Sequence, residues 1–147
     1  SDVFGSLVKQ YAQDQTADAA DWLIGADVVG PELAPALRSM KDPGHANQYD
    51  HQPADMDGYV RTTRDNGGVH TNSGIPNRAF YLAASTIGGY AWEKAGRIWY
   101  AAMNDAKLRP TSGFKAFAQA TVRAAQGVGD DDATKAVTQA WHTVKVL

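Results

Sequence analysis

Asp65-Asn66-Gly67-Gly68-Val69-His70-Thr71-Asn72-Ser73-Gly74-Ile75-Pro76-Asn77 ends a long polar segment and opens a helix. It sets an aspartate and a histidine on either side of a glycine pair whose backbone is free to take positive φ. A loop that folds this tightly brings Asp65 within reach of the His70 imidazole. A carboxylate on one ring nitrogen fixes the tautomer and prepares the other nitrogen to donate a proton or hydrogen bond to developing negative charge. The plainer alternative is a Gly-rich turn whose histidine only caps the next helix.

Downstream of this stretch the pattern is helical throughout. Ile75, Ala79, Leu82, Ala83 and Ile87 form one apolar stripe, with Ser73 as cap, Pro76 in the first turn and Gly88-Gly89 as the stop. Trp92, Ala95, Trp99, Ala102 and Met103 predict a second helix over about Tyr90 to Ala106. A third follows Thr111-Ser112, with Phe114, Phe117, Ala118, Thr121, Val122 and Ala125 inward and Gly127 near its end. A fourth begins at Asp130-Asp131-Asp132, whose charges suit a helix amino terminus, and buries Ala133, Ala136, Val137, Ala140 and Trp141. His142 near its end complements the helix dipole.

Upstream, Val3, Phe4, Leu7, Val8 and Tyr11 predict a helix from Asp2 to about Gln13 with those five residues on the buried face. Trp22-Leu23-Ile24-Gly25 reads as a strand fragment, and Val28 to Met40, with Pro31 and Pro35, as loop. Lys41 to Gly68 is a long polar loop tacked to the surface by Tyr49, Met56 and Tyr59. Its His45, Asp50, His51, Asp55 and Asp57 show no standard metal-ligand spacing. The fold class is therefore mainly α, an antiparallel helical bundle with a long polar loop, in one domain over residues 1–147.

The 147 residues are 44% hydrophobic, enough for a real core, and carry a net charge of −2. Lys and Arg are scattered, which argues against nucleic acid or an anionic membrane as partner. With no cysteine there is no disulfide and no thiolate chemistry. No apolar run approaches the roughly 20 residues of a membrane span. The chain opens directly into a helix, as a piece cut from a longer protein would.

The run Asp65 to Asn77 resembles the signature of the thermolysin-like neutral zinc metalloproteases. Ser1-Asp2-Val3-Phe4-Gly5-Ser6-Leu7-Val8 and Leu37-Arg38-Ser39-Met40 resemble the same family in the same order. Ile75 to Leu82 and Ala91 to Gly96 look most like the protealysin-like branch. The resemblance covers essentially the whole chain and implies the carboxyl-terminal helical domain of a two-domain metalloendopeptidase.

It implies that His70 stabilises the tetrahedral intermediate, Asp65 orients it, Arg38 grips a substrate carbonyl, and Leu37 lines the specificity pocket. Asp2 would hydrogen-bond a zinc-binding histidine from outside the ligand set. The zinc ligands belong to the amino-terminal domain, the expected partner, so the chain alone should bind no catalytic zinc and hydrolyse nothing. Where many family members place calcium-binding acids this chain has Lys9, Leu23 and Ala26, leaving Asp21 and Asp27, so the paired calcium site is expected to be missing. Secretion is the family default, while the protealysin-like likeness leaves a cytoplasmic location open.

A reading from another class is a non-catalytic interaction module that kept the bundle without the zinc domain. A third is an unrelated helical binding protein. An upstream glutamate one turn before Asp2, itself preceded by His-Glu-x-x-His, separates the protease from both. Apolar surface left by a missing domain would favour self-association of the chain.

Overall fold

The residues between Gly74 and Thr143 carry apolar side chains at helical spacing and are interrupted only by short turns, and they fold as four helices around one core. The computed structural model describes all residues, 1–147. Helix α1 is Asp2–Ala12, followed by strands β1 (Leu23–Ile24) and β2 (Arg38–Ser39), then α2 (Gly74–Ile87), α3 (Lys94–Met103), α4 (Phe114–Val128) and α5 (Asp131–Thr143). The architecture is mainly α, as the periodicity predicts.

Helix α2 is the centre of the bundle. Its Ile75, Ala79, Phe80, Ala83 and Ala84 are fully buried, and it packs on α5, α3 and α1 while α4 closes the bundle against α3 and α5. Alanine at many of these positions lets the helices approach closely. Aromatic rings fill what the alanines leave. Phe80 meets Trp22 and Trp99 edge-on at 6.0 and 5.0 Å, and Trp99 stacks on Trp141 at 6.1 Å. The Trp141 indole N–H donates to the buried Thr121 hydroxyl at 2.7 Å, which donates in turn to the Ala118 carbonyl, so the ring is buried without an unpaired polar atom. Helix α5 starts where expected because Asp130 accepts a hydrogen bond from the Ala133 amide at 2.9 Å.

Several expectations need correction. On α1, Val3 and Leu7 are buried, but Val8 and Tyr11 are exposed, because α1 meets the bundle along a narrower seam than its apolar stripe. Helix α3 begins at Lys94 rather than Tyr90; residues 91–93 form a turn, closed by Gly96 N–H donating to Ala91 O at 2.7 Å. Met103 is exposed and Ile98 takes the inward position. Ser73 makes no capping bond to α2. Arg38–Ser39 is a strand, paired antiparallel with β1 in the register Leu23–Ser39 and Ile24–Arg38.

The polar loop is also more ordered than its composition implies. Asp50, one of the acids of this loop, is buried and accepts from the amides of Gly44, Ala46 and Gln52. Met56 and Tyr59 do pack against the core, while Tyr49 is exposed.

Because Trp141 contacts two other aromatic rings and completes a buried hydrogen bond, Trp141→Ala should cost about 3–5 kcal/mol of stability. Urea denaturation followed by circular dichroism checks this, and a loss below about 1 kcal/mol would contradict the packing described.

Candidate active site

Asp65, Asn66, Gly67 and Gly68 all have positive φ, 55°, 48°, 84° and 79°. Aspartate, asparagine and glycine are the residues that adopt left-handed backbone at least cost, which is why this order of residues makes this turn. At Gly68 even a Cβ would come within 2.7 Å of Asn72 Nδ2. The turn closes with Gly68 N–H on Arg64 O and Val69 N–H on Asp65 O, both at 3.0 Å.

Reversal of the chain brings the Asp65 carboxylate onto the residues that follow. Its Oδ1 lies 2.5 Å from His70 Nδ1, while Oδ2 accepts from the His70 amide at 2.9 Å, the Thr71 amide at 3.0 Å and the Thr71 hydroxyl at 3.3 Å. The Thr71 amide, then the His70 side chain, hold the Asp65 pKa at about 2, down from 3.8. An ionised carboxylate only accepts, so His70 Nδ1 carries its proton and Nε2 is the nitrogen left for a ligand. The imidazole is 71% exposed.

A second group assembles opposite. Arg38 on β2 directs Nη1 to both oxygens of Asp2, each at 3.1 Å. Asn77, one turn into α2, donates to Asp2 Oδ2 at 2.8 Å. Asp2 thus ties α1, β2 and α2 together. Sequence reading missed Asn77, whose partner lies 75 residues away.

Both groups border one open groove of about 680 Å³, lined by Asp2, Arg38, His70 and Asn77 together with apolar side chains that include Trp99 and Phe114. Leu37 is 39% exposed but is not among the wall residues. Its Cβ lies over Gly25. Lys9 ion-pairs with Asp21 at 2.7 Å, and Asp21 Oδ1 also accepts from the Leu23 amide. No group of three or more His, Cys, Asp or Glu side chains stands together as a metal site. No helix is long and apolar enough to cross a membrane.

An imidazole braced by a carboxylate therefore shares one open groove with a guanidinium on a helical bundle. The chain belongs to the thermolysin metallopeptidase family as its alpha-helical domain, whose family model matches residues 1–146. It is 50% identical over 152 residues to an extracellular metalloprotease of Pectobacterium carotovorum subsp. carotovorum, covering 99% of this chain and 44% of that protein. To thermolysin of Alicyclobacillus acidocaldarius it is 39% identical, covering 99% of this chain and 27% of that one. The solved precursor of protealysin, a metalloproteinase from Serratia proteamaculans, superposes with a TM-score of 0.95 at 53% identity, over 99% of this chain and 47% of that one. The chain therefore spans less than half the length of these relatives.

The low pKa of Asp65 has a signed consequence. A depressed carboxylate stabilises the fold fully above its unfolded value near 3.8, and the contribution disappears as pH falls through about 2. The stability difference between the natural chain and Asp65→Asn should be constant above pH 5 and shrink towards pH 2. A difference independent of pH down to 2 would contradict the hydrogen bonding described.

Proposed function

We propose that this chain is the carboxyl-terminal half of a two-domain zinc metalloendopeptidase, and that its groove is one wall of the substrate cleft. The observation that carries this reading is the shared placement of His70 and Arg38 on the rim of one open groove. Zinc in such enzymes polarises the carbonyl under attack and activates a water. This chain's own residues do not form its site, and the amino-terminal domain of the parent, as the natural partner, would supply it.

What this chain contributes is charge stabilisation and grip. With Nδ1 held on Asp65, His70 turns Nε2 towards the oxyanion of the tetrahedral intermediate and donates to it whatever proton that nitrogen carries. The Asp65 bonds to the His70 amide and ring hold the donor in place before reaction, so little reorganisation is needed. Arg38 has donors beyond those used on Asp2 and holds a substrate carbonyl. Asp2, steadied by Arg38 and Asn77, orients an incoming zinc-binding histidine. Leu37, from outside the groove enclosed by this chain alone, lines the specificity pocket that the partner domain completes. The substrate is a peptide or protein, and hydrolysis requires both halves.

The paired calcium site is replaced here by the Lys9–Asp21 ion pair, whose ammonium already supplies a positive charge to Asp21. Relatives named as extracellular support export of the parent rather than a cytoplasmic location.

In the full-length parent, His70→Ala should lower kcat about 10² to 10³-fold with KM changed far less. Unchanged turnover would remove His70 from the mechanism. The 147-residue chain alone should not cleave casein, and chelator-sensitive cleavage by it would overturn the division of labour. Calcium titration by calorimetry should give no tight two-site isotherm; two tight sites would overturn the replacement by Lys9.

A further inference from the structure

Gln52 lies in the polar loop, 9% exposed, and its side chain is aimed at the turn that carries His70. Its Nε2 donates to the His70 carbonyl at 2.6 Å and to Ser73 Oγ at 2.7 Å, while Ser73 Oγ donates to the same carbonyl at 2.8 Å. A carbonyl can only accept, so the amide nitrogen must face it and the orientation of Gln52 is settled. The Gln52 backbone is itself anchored, its amide donating to Asp50 Oδ1 at 3.1 Å, and Asp50 gathers the loop around that point. The approach is close enough that a Cβ at Gly74 would lie 2.9 Å from Gln52 Cβ and 2.6 Å from Pro53 O.

From this geometry we infer that Gln52 is a positioning residue for His70: it clamps the histidine's carbonyl from the loop side as Asp65 clamps its amide and ring from the other. The two clamps act on opposite ends of one residue, so Gln52 steadies the backbone from which Asp65 aims the ring. Gln52 is not in the groove wall. Its Oε1 is buried with no partner. A methionine of the same length would fill the space without that orphaned oxygen but would lose both bonds to the 70–73 turn. The bearing on catalysis rests on the peptidase reading, whereas the positioning does not.

Gln52→Met keeps the volume and removes the donor. In the full-length protein it should lower kcat about ten-fold with KM within about two-fold. It should also accelerate amide hydrogen exchange in the segment 65–73 about ten-fold, read by mass spectrometry, with the helices of the bundle unchanged. In a His70→Ala background Gln52→Met should cause no further loss of kcat, because there is no longer an imidazole to aim. Unaltered exchange at 65–73 would overturn the clamp, whatever the enzyme does. A kcat equal to that of the natural protein, or an equal loss with and without His70, would overturn its bearing on catalysis. If His70→Ala alone leaves kcat intact, the peptidase reading fails and the exchange measurement still decides on Gln52.

Discussion

Asp65 uses one carboxylate oxygen for the ring of His70 and the other for two backbone amides and a hydroxyl within the next six residues. That arrangement requires the chain to reverse on itself, and four consecutive left-handed residues accomplish the reversal. The backbone conformation is costly for ordinary side chains and is held here by the hydrogen bonds it makes possible. The same turn ends the polar loop and delivers the chain into α2, the helix that packs on α1, α3 and α5. Fold and site therefore share one constraint.

Around that turn the groove is built from segments far apart in sequence. Helix α1 brings Asp2, the short strand β2 brings Arg38, and α2 brings Asn77; one carboxylate joins the three. Both charged partners are largely buried, which lowers the screening that makes exposed pairs weak. A guanidinium fixed in this way points at a defined place. Rigid placement is what distinguishes a donor that stabilises a transition state from one that merely carries charge.

Much of this was legible beforehand, and the remainder was illegible for identifiable reasons. The helices α2, α4 and α5 follow from apolar spacing and from Asp130 as a cap, since these signals are local. The turn was legible because Asp, Asn and Gly tolerate left-handed backbone. The burial of Asp50 was not, since a carboxylate can be buried only once loop closure brings amide donors to it. Val8 and Tyr11 read as core because periodicity shows which face is apolar but not how much of it a neighbour covers. Arg38–Ser39 pairs with Leu23–Ile24 across an intervening loop, and two-residue strands leave no alternating pattern to detect. The site residues His70, Asp65, Arg38 and Asp2 came from family resemblance; spacing alone suggested only Asp65 with His70.

The central claim is that the His70 imidazole and the Arg38 guanidinium act on the same substrate. It is tested most directly by a crystal structure of the full-length parent bound to a peptide phosphoramidate, whose tetrahedral phosphoryl group mimics the hydrolytic intermediate. The account predicts His70 Nε2 within about 3 Å of a phosphoryl oxygen and an Arg38 nitrogen on a neighbouring carbonyl of the inhibitor. An inhibitor seated with His70 turned to solvent and Arg38 out of reach would contradict it.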